Sequence, residues 1–446
     1  MRRFNPDRLG IDSIGSLLIK QSIPASIGFL AMSLNMVVDT IFLGQWIGPL
    51  GIAAVTIVLP IAFLMSSIGM AIGVGGGSII SRALGIGNVK KACEVFGNQI
   101  LITAILIILL VSIGIFCKVE VLQLFGAAGR VTAAADTYFT IVLIGVPSLA
   151  FAMVGNKVIR AEGNSKMAMV VMLVGAILNL VLDVVFIKFL NWGIAGAAWA
   201  TSLSYISHML CILYYFSTRQ STVKITWQHL QFRRKIAGEI ASLGFVTLVR
   251  QGMISILAIA ANHTMYQYGG ETALNVYGII NRLMLFVMFP IMGITQGFLP
   301  IAGYNYGAEK YNRVRQSIQR SILYSTLLSC LVYVIIMSFP VLLTRIFTTD
   351  RQIIEQTPHA LRWTFAAIPI VGIELIGPAY FQAIGKAVKA LFLTALRQGL
   401  FLIPLILFLP KISGIDGVWY AFPAADLLSC LVVALFLYAE VHKRLN

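Results

Sequence analysis

The chain has 446 residues, of which 59% are hydrophobic and 11% charged. Soluble domains carry about 25% charged residues, so this composition excludes an ordinary soluble domain and points to repeated bilayer crossing. The formal charge of +16 would suit a nucleic-acid binder, but the lysines and arginines lie in short connectors between apolar runs, and no nucleic-acid partner is expected.

The start, MRRFNPDRLGIDSIG, is basic and polar. The apolar run behind it is too long for a signal-peptide core and lacks a small-residue cleavage pattern. It reads as a retained end leading into the first span. Apolar runs of spanning length follow at about 16–43, 51–80, 95–117, 133–156, 167–187, 193–216, 237–262, 273–300, 317–343, 360–383, 390–409 and 416–439. The expected fold is therefore an all-α, multi-pass protein of the cell membrane with twelve transmembrane helices. An even number of spans puts both termini on one side. Connectors and ends on that side hold 23 lysines and arginines, including Arg2, Arg3, Arg219 and Arg444; the other side holds 7. The positive-inside rule then makes both termini cytoplasmic. Arg250, Arg282 and Arg397 fall inside spans.

The two halves overlay. GIAAVTIV at 51–58 resembles ALNVYGII at 273–280, and RALGIGN at 82–88 sits over YNYGAEK at 304–310. AEG at 161–163 pairs with AIG at 383–385, and GIAGAAWA at 193–200 with GIDGVWYA at 414–421. The offset is 222, slipping once to 221. The expected organisation is a first lobe at 1–216, a basic linker at 217–236 and a second lobe at 237–446. Parallel repeats of this kind mark alternating-access transporters, although duplicated bundles also build scaffolds and channels.

Polar residues without a twin sharpen the reading. In LNMVVDTIFLG, residues 34–44, Asp39 stands in hydrocarbon, where a carboxylate costs about 2.5–3.5 kcal/mol. Its duplicate position is Ala261. Asp183, Asn179 and Thr201 likewise have apolar duplicates. Asn179 and Asp183 are four apart and share one helix face, as do Asn35 and Asp39. At 1.5 Å per residue, Asp39, Asn179, Asp183 and Thr201 lie about 7–14 Å below the outer ends of their helices, at similar depth. Two carboxyls brought together in hydrocarbon resist double ionisation, which suits a proton. With an amide and a hydroxyl they also make a hard-oxygen set that suits sodium. The competing reading makes them hydrogen-bonding struts between helices.

At these residues the chain resembles the multidrug and toxic compound extrusion (MATE) family. The likeness rests on VVDTIFLG, on GN…A…G…N…LD from Gly163 to Asp183, on GIAGAAWAT into Thr201, and on the glycine-rich ends of helices two and eight. It implies a cation-driven antiporter that expels amphipathic, cationic organic compounds, coupled to H+ or Na+ and needing no cofactor. It also implies that Asp39, Asn179, Asp183 and Thr201 hold the coupling ion, and that helix one bends at Pro24. A mid-helix proline kinks a helix in any case. Unlike the NorM-like branch, helix seven here offers Arg250 and Gln251. Glu374 on helix ten is expected either to face substrate or to pair with Arg250 or Arg397. Asn35, Arg250, Gln251 and Glu374 are thus candidates for a substrate cleft, and the pattern looks closer to the DinF-like branch. A monomer in the bilayer is expected.

Other signals are discounted. GVGGGS at 73–78 looks like a phosphate loop but lacks the following Lys-Ser/Thr pair, so close helix packing or a flexible helix end is expected. The five cysteines and five histidines are scattered and form no metal site. The linker 217–236 could bind anionic lipid, although topology alone explains its charge. Two rival functions remain. A lipid-linked flippase would line its cleft with arginines. A membrane transferase would need a catalytic cluster in a loop.

Overall fold

The computed structural model describes residues 5–218 and 220–444. Arg2, Arg3, Arg219 and the Arg444 side chain, counted above for orientation, lie outside the described residues. Helices account for nearly all of the chain. The long ones are α1 (Ile14–Trp46), α2 (Pro49–Gly85), α3 (Val89–Phe116), α4 (Val131–Ala161), α5 (Ser165–Phe189) and α6 (Gly193–Ser217). Arg234–Gly307 is two helices meeting at Gly270, whose φ of 62° leaves the helical region. We call them α7 (234–269) and α8 (271–307). Then come α9 (Tyr311–Ser338), α10 (Arg351–Ala383), α11 (Ala387–Ser413) and α12 (Ile415–Arg444). All but α6 fall in stretches long and apolar enough to cross a bilayer. The connectors α2–α3, α4–α5, α6–α7, α8–α9 and α10–α11 carry most of the basic residues; they define what we call the basic end.

Two compact units emerge. One comprises 27–244 together with the start of the chain to Arg8; the other comprises 9–26 and 245–446. This division differs from the boundaries expected from sequence. Residues 9–26 group with the second half, and 237–244 with the first. The cause is small-residue packing that repeats with the duplication. In the first unit, a Cβ on Gly75 would overlap the Ile240 carbonyl oxygen, and one on Gly244 would stand 2.7 Å from the Ala71 carbonyl oxygen. In the second, Gly297 meets Ser22 and Gly293 meets Ser26 in the same way. Residues 71 and 75 are related to 293 and 297 by the 222-residue offset read from sequence. Each half thus gives the basic-end segment of its first helix to the other unit.

GVGGGS is accordingly a packing surface. Besides Gly75 against Ile240, Gly76 lies against the Gln99 side chain, whose Nε2 donates to the Ile72 carbonyl at 2.7 Å. Apolar cores fill the remainder of each unit. Val58, Phe139, Val142 and Ala197 are buried in the first, and Ile291, Phe365, Ile406 and Trp419 in the second.

Pro24 lies inside α1 without ending it. It denies the Lys20 carbonyl its helical donor, and the division between units falls two residues later, between Ser26 and Ile27.

Candidate functional site

In the first unit, α1, α4, α5 and α6 bring one polar cluster together. Asn35 and Asp39 share a face of α1, and Asn179 and Asp183 share a face of α5. The Asn35 Nδ2 donates to Asn179 Oδ1 at 2.9 Å. One turn on, the Asp39 and Asp183 carboxyls meet at hydrogen-bonding range. Thr201 on α6 joins from the side. Its hydroxyl donates to the Ala197 carbonyl at 3.0 Å and lies 3.4 Å from the Tyr138 hydroxyl. Tyr138 on α4 and Tyr205 on α6 both fall within electrostatic reach of Asp39. At the C-terminal end of α5, the Lys188 ammonium lies 5.6 Å from the Trp46 ring centre, fastening α5 to the end of α1.

Burial makes this cluster unusual. Asp183 is fully buried and Asn179 is 5% exposed. Neither Asp183 oxygen receives a hydrogen bond, and neither does Asn35 Oδ1. Three buried acceptors therefore stand without donors. Such groups cost about 1–3 kcal/mol each, and more when charged. A proton between the carboxyls, or a small cation among the oxygens, would satisfy them. Asn179 and Thr201 each keep a lone pair for the same ion. Directly after Asp183, residues Val184–Phe189 widen into a π-helical turn, a feature frequent at functional sites.

The second unit contains a polar cluster that sequence reasoning missed in part. Glu374, a candidate cleft residue, is 5% exposed and paired within the unit. Its Oε2 lies 3.2 Å from Arg397 Nε, and Ser429 donates to its Oε1. Arg397 Nε also meets Asp426 Oδ1 at 2.7 Å. Of the two partners expected for Glu374, Arg397 is the one present. Asp426 carried the same signal as Asp39, an acid inside the apolar run AFPAADLLSCL. Comparing first-half acids with their duplicates does not reveal it, because it lies in the second half. Arg250 and Gln251 are half-buried on α7, and the buried Arg250 Nε lacks an acceptor. Tyr138 and Tyr205 were also missed, since aromatic residues do not stand out in apolar helices.

A duplicated bundle of membrane-spanning helices, with a donor-starved acid pair inside one unit, has the construction of a membrane transporter. The comparisons with known proteins narrow the class. The MatE family matches residues 24–185 and again residues 247–408, once in each half. The multidrug export protein MepA of Staphylococcus saprophyticus is 25% identical over 417 residues, covering 94% of this chain and 92% of its own. MepA of Staphylococcus aureus strain N315 is 26% identical over 419 residues, with the same coverage. The outward-facing structure of a multidrug resistance MATE transporter superposes with a TM-score of 0.92 at 25% identity, over 99% of both chains. The chain belongs to the MatE family and is a multi-pass membrane transporter.

Proposed function

We propose that the protein exports amphipathic, cationic organic compounds in exchange for a proton or sodium ion taken up at Asp39 and Asp183. The observation that carries this reading is the pair of carboxyls meeting in the first unit, with both Asp183 oxygens and Asn35 Oδ1 lacking donors. A cation entering there removes an electrostatic penalty. It also joins α1 to α5, so occupancy biases how these helices pack. Membrane potential adds about 2.3 kcal/mol per charge per 100 mV to any net charge moved. Asn179 and Thr201 supply the further oxygens that a sodium ion would need, and Pro24 gives α1 a point at which to bend.

Placement of the acids in the first half favours the DinF-like branch over the NorM-like one. The lysine and arginine distribution supports cytoplasmic termini, and the transport unit is one chain. The flippase reading loses ground at Arg397, because Glu374 and Asp426 neutralise it. That leaves Arg250 and Arg282 as the intramembrane arginines without a carboxylate partner among the described residues.

The test is ethidium export by purified protein in liposomes, under an imposed sodium gradient or an imposed pH gradient. Export should follow one gradient. Asp39→Asn and Asp183→Asn should each abolish coupled export while leaving the protein folded and able to bind ethidium. Undiminished export by both variants would remove these acids from coupling.

A further inference from the structure

We infer that the pocket between the start of α3 and the start of α7 binds the phosphate of an anionic phospholipid headgroup. The cavity is about 560 Å³ and is lined by Asn88, Lys90, Lys91, Arg233, Arg234 and Lys235, together with Glu94 and Ile236. All five cationic side chains are exposed. Arg233 is held by Glu94 at 2.8 Å. Lys90, Lys91, Arg234 and Lys235 have no carboxylate partner among the described residues. The pocket therefore presents four uncompensated positive charges, with the N-terminal turns of two long helices opening into it.

Topology can account for basic residues in a connector, but it does not require them to be held in a fixed arrangement. Here they are. The Asn98 side chain receives the Arg233 backbone N–H at 2.8 Å and donates to the Gln231 carbonyl at 3.1 Å. The absent side chain of Gly97 lets the His229 carbonyl approach α3 directly. Further back, the buried Glu162 carboxylate receives the Ser221 hydroxyl and the Thr222 and Val223 backbone N–H groups at 2.7–2.8 Å. The connector is thus fastened at both ends, and little ordering is left for a ligand to impose.

A second feature of the same segment points to lipid as the source of the phosphate. Trp227 is 88% exposed and Phe232 is 59% exposed, although both sit in an otherwise polar, basic connector. Exposed aromatic residues beside a polybasic site are the arrangement expected at a bilayer surface. There the rings enter the headgroup layer while the cations hold phosphates. A free anion would gain nothing from Trp227 or Phe232.

The full-length protein in nanodiscs provides the test. Tryptophan quenching is followed as brominated phosphatidylglycerol, or brominated phosphatidylcholine, is doped into a phosphatidylcholine background. The Trp227 contribution is isolated with Trp227→Phe. Quenching by phosphatidylglycerol should saturate at roughly tenfold lower mole fraction than quenching by phosphatidylcholine. Added salt should erase the difference, as should the combined variant K90Q/K91Q/R234Q/K235Q. Equal quenching by the two lipids in the unaltered protein would overturn the assignment, whether or not the variant folds. So would a folded variant that keeps the preference, or millimolar inorganic phosphate that abolishes it, since the latter would mark a site for free anions.

Discussion

Asn35 donates to Asn179 at 2.9 Å, and one helical turn beyond this contact the same two helices set Asp39 against Asp183. The amide pair acts as a rung that fixes the register of α1 on α5. It does so without satisfying the acids, which keep their appetite for a cation. The amide pair thereby positions the acids, and its spare oxygens can join them around an ion. Asn179→Ala should leave the acids in place but loosen their approach. A lost hydrogen bond of about 1 kcal/mol corresponds to roughly a fivefold weaker apparent affinity for the coupling ion. Export from liposomes, titrated against the driving cation, measures this. An unchanged half-saturation would show that the rung has no part in holding the site.

The second-unit cluster should behave differently. Arg397 is shared by Glu374 and Asp426, so Arg397→Met strands two buried acids and should destabilise the protein by about 3–5 kcal/mol. Adding Glu374→Gln and Asp426→Asn removes the stranded charge and should recover most of the loss. Thermal unfolding in detergent would reveal both steps. The triple variant should still export, because Arg397 already offsets a carboxylate in this cluster, whereas the Asp39–Asp183 pair has no cationic partner among the described residues. A folded triple variant without export would move part of the coupling to the second unit.

Much of this was legible in the amino-acid order, for physical reasons. The long helices show because hydrocarbon demands long apolar runs, and the repeat shows in glycines whose left-handed backbone recurs, Gly163 with Gly385 and Gly193 with Gly414. Asp39 and Asp183 show because a carboxylate in an apolar run is costly. The exchange of 9–26 and 237–244 between units was not legible. Both segments read as ordinary parts of their helices, and only the contacts of Ser22 with Gly297 and of Ile240 with Gly75 reveal which bundle each joins. Tyr138 and Tyr205 stayed hidden because a phenol in a membrane helix carries no comparable penalty. Glu162 escaped for another reason: its carboxylate looks like an ordinary connector charge until the folded chain wraps around it.

That wrapping leads to a prediction of its own. Glu162 is 1% exposed and receives the Tyr215 hydroxyl at 2.8 Å as well as its connector donors. Glu162→Ala would leave several buried donors unpaired, at a cost of about 1–3 kcal/mol for each that water cannot reach. The connector after α6 should come loose. Limited trypsin digestion should then cut at Lys224 several times faster than in the unaltered protein, before the helical bundle itself unfolds. Equal cutting rates would mean that other contacts hold the segment.

The glycine contacts allow a sharper comparison, since neighbouring positions on one helix face different surroundings. A Cβ on Gly75 would collide with the backbone at Ile240, whereas the nearest atom to a Cβ on Gly77 is the Lys157 carbonyl oxygen at 3.5 Å, an ordinary contact. Helix propensity alone favours alanine over glycine by about 1 kcal/mol at either site. Gly77→Ala should therefore be neutral or slightly stabilising. Gly75→Ala must push α7 away from α2, costing about 1–3 kcal/mol as overpacking usually does. The duplicate, Gly297→Ala, meets Ser22 Oγ at 2.6 Å and Ser22 N at 2.9 Å. It should cost less than Gly75→Ala, since the hydroxyl can rotate aside and the nearest backbone atom then stands at 2.9 Å rather than 2.3 Å. Unfolding midpoints in detergent should fall in the order Gly77→Ala, then Gly297→Ala, then Gly75→Ala. Equal midpoints for the substitutions at 75 and 77 would mean that the α2–α7 contact has slack to absorb a methyl group, which a backbone-to-backbone approach does not permit.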